Sequence, residues 1–384
     1  MAFPRLLANL FDVVGDKVTI KAEALPDGVS TGGGSGGSGG VIVGTGDQVF
    51  GIARIATGGG SGTWFHCDRN GEPVYLNEEY FNRHQIYANI VRTIIDGQIM
   101  VRVPKFYVKH VQSQPDGTLK GSKITWISPE PLDGYHLYPA FMNNGQEIDQ
   151  FWLGSYKASM STDNTMCCSL PGKAPAASKN FTTFKTLCEA RNTGGVDGFM
   201  MQDVYQRHAI QLLMLAETAN PNMQNIFGNG HVSGSAAVTV DHINNPKPWR
   251  GFYGLWGNVW EMVDGVRADS AKKLEIFRND GTRAYMATNL SMTVYGSGWT
   301  GWITEMFSEE DAGYDLKDVF IPSASNGTEA NGTYGDNHYG AVANGVCYAG
   351  GGWGDGVSAG LFCVTFPNAA SDSGAGLGCR LAKV

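Results

Sequence analysis

Apolar and polar residues change period several times along this 384-residue chain, and each change predicts an element. Near the start, Val18, Ile20 and Ala22 alternate with Lys17, Thr19 and Lys21, the two-residue period of a short strand. The run GGGSGGSGG at 32–40 then has no apolar position at all. Such a run is a flexible coil that cannot pack a core, so it tethers residues 1–31 as a separate attachment element. From 41 to 99 the pattern is β-rich. Residues 98–109 (QIMVRVPKFYVK) have strand composition, with Pro104 predicting an edge strand or a strand start. Residues 134–141 and 151–156 add aromatic strand signals.

Two stretches shift to the helical period. Phe181, Phe184, Leu187 and Ala190 share a face behind Asn180 or Thr182 as cap, and the pattern stops before Gly194 and Gly195. From about Asp203, the residues Val204, Ile210, Leu213 and Leu215 fall near one face, up to Asn220-Pro221. No later helix is predicted. From Gly228 onward, turns at Asn229-Gly230, Asn326-Gly327 and Asn331-Gly332 alternate with short aromatic strands, without an equal-period repeat. The predicted fold class is α+β with a long, loop-rich tail.

Composition narrows the function classes. Charged residues make up 17%, against a norm of about 25%, while Gly numbers 53 beside 9 Trp, 15 Tyr and 18 Phe. Many irregular loops with aromatics supplying burial and contact area suit a binding protein better than a helical enzyme. A net charge of -8 without a basic run argues against nucleic acid. No stretch of about 18 apolar residues occurs, so membrane insertion is not expected. Residues 1–18, interrupted by Asn9 and Asp12, do not read as a secretory signal. The seven cysteines (Cys67, Cys167, Cys168, Cys188, Cys347, Cys363, Cys379) are odd in number and include an adjacent pair. They predict free thiols from a reducing cytoplasm rather than a disulfide framework.

Catalytic signatures are missing. His66, His84, His110, His136, His208, His231, His242 and His338 have no close metal spacing, and H-E-x-x-H does not occur. His208 lies within the second helix and reads as a satisfied structural histidine. Glu130 and Asp133 sit in a Pro-rich turn, and there is neither G-x-S-x-G nor a P-loop. Asp241 and Asp336 are candidates for a calcium site with carbonyls, but no calcium motif accompanies them. No catalytic residue, metal or cofactor is predicted.

Several runs carry a resemblance. GLWGNVWEM at 254–262, GGGW at 350–353 followed by AGLF at 359–362, and GCRL at 378–381 occur in the order G-N-V-W-E-W, G-G-x-W, A-G-x-F and G-F-R-L. That order resembles the C-type-lectin-like fold shared by formylglycine-generating enzymes and the variable proteins of diversity-generating retroelements. MVRVPKFY at 100–107 and WLGSYK at 152–157 are similar to segments of phage tail proteins carrying this module. The matches span about 65–384, and the resemblance implies a lectin-like domain over 100–384. Trp256, Asn258, Trp260, Glu261, Trp353 and Arg380 are expected as scaffold, with the three Trp in an aromatic core and Glu261 pairing with Arg380 or with loop backbone. Gly257, Gly351 and Gly378 are expected where the backbone is strained or closely approached. Cys379 departs from the family's Phe and leaves a smaller core side chain.

The resemblance further implies a variable binding face at about 346–380. Its exchangeable positions would be Tyr348, Gly354, Asp355, Val357, Ser358, Cys363, Thr365, Asn368, Asp372 and Gly374. Alternation of Cys363, Thr365 and Pro367 with Val364 and Phe366 predicts a strand showing the first set outward. The function implied is that of a phage-tail adhesin on the virion. It would bind a host-surface protein or glycan, work beside other tail proteins, and be most plausibly trimeric. Two alternatives stand: a structural tail or baseplate subunit, and an oxidase of the formylglycine-generating kind. The oxidase needs a copper-binding cysteine pair, and Cys363 and Cys379 do not match the family's catalytic positions.

Overall fold

In a computed structural model, residues 11–14, 17–20, 42–43, 47–55, 63–239, 246–294, 301–329 and 332–384 are described. The Gly/Ser run at 32–40, Ala22, Asp241, His242 and Asn331 lie outside them. The expected early strand is present as Lys17–Ile20, antiparallel to Phe11–Val14. The chain forms two compact units. One takes the described parts of Met1–Ala88 with Phe106–Leu137 and Leu212–Pro221; the other takes Asn89–Lys105, Tyr138–Gln211 and Asn222–Val384.

The first unit is built on a five-stranded sheet in the order His136–Leu137, Tyr107–Val111, Lys123–Ser128, Phe50–Arg54, Trp64–Cys67. Its core gathers Ala53, Cys67, Leu119, Ile124 and Trp126. Within the stretch 41–99, read as β-rich, there are also two short helices, Glu78–Arg83 and Gln85–Ala88. Asn77 starts the first by accepting a hydrogen bond from the Tyr80 amide. Phe81 is the buried anchor of that turn, edge-on to Phe50.

The second unit holds two larger sheets. One runs Phe199–Met201, Leu381–Lys383, Gln150–Gly154, Gln98–Pro104, Val91–Ile95. Pro104 therefore neither starts a strand nor marks an edge. It closes an interior strand at the position opposite Gln150, where the ladder ends. The other sheet runs Tyr285–Ser291, Lys273–Phe277, Trp260–Ala268, Gly345–Ala349, Val364–Ala369, and Leu377–Gly378 joins the Trp260 strand in parallel.

The helix Phe181–Glu189 forms as its pattern predicts, capped by Asn180, whose side chain accepts from the Thr183 amide at 2.8 Å. Val204–Thr218 also forms, but it is no surface helix: from Val204 to Gln211 every residue is buried. Its polar residues serve as internal ties. His208 Nδ1 accepts from the Phe320 amide, and Gln211 donates to the Leu361 carbonyl at 2.6 Å. One more short helix follows at Met223–Phe227, where none was expected; Asn222 caps it through the Asn225 amide. Overall the described chain is rich in short strands, with few helices. None of the described helices is long and apolar enough to cross a membrane.

Candidate functional site

The Trp260–Ala268 strand is covered on both sides, and its second residue, Glu261, is fully buried. An isolated carboxylate at such a position costs several kcal/mol or more unless it is paired and hydrogen-bonded. Three cations meet it. Arg380 reaches Oε1 through Nη2 at 2.8 Å and Nε at 3.1 Å, Lys157 Nζ reaches the same oxygen at 3.0 Å, and Arg207 Nη1 takes Oε2 at 2.8 Å. Burial alone would raise the Glu261 carboxyl; the charges of Arg380, Lys157 and Arg207 overcome it and hold it at about 2. Burial pushes the Lys157 ammonium down to about 8, against the pull of Glu261.

Arg380 is the organising member. Beyond Glu261 it donates to the carbonyls of Gly154 at 2.8 Å and of Tyr253 and Gly254 at 3.0 Å each. A planar guanidinium with five donors can tie a strand end and a loop to one carboxylate, which an ammonium cannot. The expected Glu261–Arg380 pair is thus part of a four-residue centre. Lys157 stands in the WLGSYK run, and Arg207 lies in the fully buried stretch of its helix; neither has a sequence signal that links it to Glu261.

Above this centre the GLWGNVWEM and GGGW segments interlock. Trp256 is 1% exposed and donates from Nε1 to the Asn229 carbonyl. Asn258 adopts a left-handed backbone (φ 68°) and grips Val238 with both ends of its amide, accepting at 3.0 Å and donating at 2.8 Å. Gly351 is at φ 75°, where a Cβ would come within 2.4 Å of the Ala359 Cβ. Gly378 needs no unusual backbone, but a Cβ there would lie 2.8 Å from a methyl of Val259. Both fit the close approach expected of them.

Two Trp expectations are corrected. Trp260 and Trp353 are half-buried; Trp260 packs against the edge of the core, and Trp353 lies outside it. The Trp353 ring lies over the Gly376 backbone, where a Cβ would be 3.5 Å from it, while the Trp260 ring lies against Gly352. These two rings tie together two segments, the turn 353–358 and 367–376, which runs from the end of the Val364–Ala369 strand through the turns that follow.

The positions assigned to the variable face divide between these segments and the sheet below. Gly354, Val357 and Asn368 are exposed, Val357 by 52%; Asp355, Ser358, Asp372 and Gly374 are half-buried. Tyr348, Cys363 and Thr365, however, are buried at 2%, 0% and 2%. The alternation expected from Cys363 to Pro367 does not occur, because the chain at 340–342 pairs along that strand. Phe366 donates to Gly340, Val342 donates to Phe366, and the Thr365 hydroxyl donates to the Gly340 carbonyl at 3.0 Å. The buried three are supports. The Tyr348 hydroxyl still reaches the face, donating to Asp372 at 3.0 Å, and Asn368 donates to the same Asp372 oxygen at 2.7 Å. Asp355 accepts from the Gly352 amide at 2.6 Å, and partial burial raises its carboxyl. From 346 to 378 the only charged residues are Asp355 and Asp372.

The other candidate chemistry is accounted for differently. One oxygen of Asp336 accepts from the Phe362 amide at 2.6 Å in a fully buried setting that raises its carboxyl well up, which is a poor start for a calcium ligand. Cys363 is not a member of the three-thiol group, which Cys379 forms with Cys167 and Cys188. A cleft of about 490 Å³ is lined by Lys185, Asp264, Arg283 and Tyr285 among others. None of the predicted site residues lines it. Within it Lys185 pairs with Asp264 at 2.6 Å, and the Tyr285 hydroxyl donates to Asp264 at 2.9 Å.

Comparison with protein-family models gives no match, and neither does comparison with curated proteins. Among solved structures the fold is similar to Treponema denticola variable protein 1 (12% identity, 76% of this chain and 98% of that one, TM-score 0.36). It is similar also to PvdO from Pseudomonas aeruginosa (14%, 77% and 98%, TM-score 0.37) and to the U1 variant of Major Tropism Determinant (12%, 100% and 85%, TM-score 0.30).

Proposed function

We propose that this chain is a non-catalytic receptor-binding protein of a phage tail, and that segments 353–358 and 367–376 form its contact face. The observation that carries the reading is the pairing of two adjoining surface segments, rich in turns and nearly uncharged, with a scaffold locked from beneath by buried ion pairs and backbone ties. Such a face recognises by shape, by the half-exposed Trp353 and by adaptable hydrogen bonds, as antibody loops do. It suits a protein or glycan on the host surface. Gly354, Asp355, Val357, Ser358, Asn368, Asp372 and Gly374 are the contact positions in this reading, with Tyr348, Cys363 and Thr365 acting from below. Assembly as a trimer on the tail would raise avidity over single-site binding by on the order of 10²–10⁴.

The test is binding of the purified full chain to a panel of bacterial strains, wild type against Asp355→Ala/Val357→Asp/Asn368→Ala. Strain-dependent binding that disappears in the folded triple variant supports the reading. Unchanged cell binding, with defects only in particle assembly, would transfer the face to a structural role.

A further inference from the structure

We infer that Cys167, Cys188 and Cys379 form a trigonal thiolate site for one soft monovalent cation, copper(I). The three residues come from different elements of the second unit: Cys167 from the strand Cys167–Cys168, Cys188 from the last turn of the helix Phe181–Glu189, and Cys379 from just beyond Leu377–Gly378. Their Sγ atoms all lie within 4.8 Å of one another, and those of Cys188 and Cys379 are 3.9 Å apart. All three are completely buried.

The spacing selects the chemistry. Three sulfurs at about 2.3 Å from a central ion stand about 4.0 Å apart in a planar triangle; the Cys188–Cys379 pair is already at 3.9 Å, and Cys167 lies within 4.8 Å of both. A disulfide requires about 2.05 Å and would need the sulfurs to close by almost half their separation. Soft thiolates favour copper(I) and zinc(II) over harder ions. Structural zinc almost always takes four ligands, and no fourth His, Cys or carboxylate joins this group among the described residues. A three-coordinate site therefore favours copper(I).

The surroundings fit as well. The thiols sit in an apolar core with Met100, Ala158, Phe184, Met201 and Leu381, which keeps water from a bound ion. Arg191, ion-paired with Asp96, donates from Nη1 to the Cys167 carbonyl at 3.3 Å and so fixes the backbone of that ligand. Loading exchanges thiol protons for the ion, up to three per site, and changes no oxidation state. Because the ligands lie 21, 191 and 212 positions apart in sequence, one ion would staple the helix, the hairpin and the C-terminal segment together.

The experiment is anaerobic titration of the reduced full chain with copper(I) acetonitrile complex against a chromophoric copper(I) chelator. A parallel arm uses zinc(II). We expect one copper(I) per chain with thiolate-to-copper absorption, three sulfur neighbours by X-ray absorption, and a raised melting temperature. Cys188→Ser should weaken binding by more than the 10–100-fold typical of an outer-shell partner, and Cys347→Ala, a buried thiol outside the cluster, should leave it unchanged. The wild-type stoichiometry and sulfur count need no variant, so a misfolded Cys188→Ser would not spare the idea. Failure to compete with the chelator, tighter retention of zinc than of copper, or copper binding that survives Cys188→Ser would each overturn it.

Discussion

The centre around Glu261 and the loops above it solve opposite problems in adjoining parts of one unit. In the centre, four ionisable side chains are buried and every carboxylate oxygen has a cationic donor. In the loops, two carboxylates stand among Gly, Ala and Ser, held by Gly352, Tyr348 and Asn368. The first arrangement admits almost no substitution, since removing one partner strands the others in a low-dielectric interior. The second admits many, because each contact is local and partly solvated. What the contrast teaches is that an irregular surface can vary in chemistry only where the backbone beneath it is fixed by something other than the surface itself.

The sharpest way to break that contrast is Glu261→Gln. The amide keeps the shape but leaves Lys157, Arg207 and Arg380 without a counter-charge, so urea unfolding should show a loss of about 3–5 kcal/mol. A loss below about 1 kcal/mol would mean the centre is not what fixes the loops.

Acid should find the same weakness. Burial lowers His338 from its ordinary 6.5 to about 4, where Nδ1 pairs with the Val364 carbonyl. The unfolded chain takes that proton first, so this contribution is full above pH 6.5 and is lost as pH falls towards 4. Glu261, held at about 2 against an ordinary 4.5, contributes fully above 4.5 and loses its contribution as pH falls through 2. Each displacement corresponds to about 3 kcal/mol at 1.36 kcal/mol per unit. A pH series of unfolding should therefore decline in two stages, and His338→Asn should reduce the upper one, to which His66 and His208, lowered by burial in the same way, also contribute. An upper stage of equal size in His338→Asn and wild type would remove His338 from the account.

How much of this was legible in the sequence follows from the range of the interactions. The Asn180 cap and the Phe181/Phe184 face are local and were readable from spacing, and so was the pairing of Glu261 with Arg380, through the motifs that hold them. Lys157 and Arg207 were not, because a cation's partner 104 or 54 residues away leaves no periodic trace. The strand at 363–367 misled for a related reason. Alternation predicts an open face only if nothing covers it, and the cover here is a segment without a strand pattern at 340–342. Cys167, Cys188 and Cys379 likewise have no metal-site spacing; only folding brings them together.

A finer test of the boundary between support and surface is Thr365→Ala. If Thr365 is a support, the variant loses one of the two donors to the Gly340 carbonyl, which keeps the Phe366 amide, at a cost of about 0.5–1.5 kcal/mol. Binding to cells should then change only as far as stability does. Binding abolished at unchanged stability would return Thr365 to the contact face and count against the burial argument.

The smallest expected effect on stability carries the largest consequence for function. Val357 is 52% exposed in the middle of segment 353–358, so Val357→Asp should move unfolding by no more than about 0.5 kcal/mol. It places a third acid on a face whose only charges are Asp355 and Asp372, and removes its exposed aliphatic side chain. If that face contacts a receptor, affinity for susceptible cells should fall at least tenfold, about 1.4 kcal/mol, with the fold untouched. The ratio of the two effects is the informative quantity: Glu261→Gln should cost stability and binding together, whereas Val357→Asp should cost binding alone. Equal loss of both from Val357→Asp would mean that the loops share the rigidity of the centre and that the separation between them does not hold.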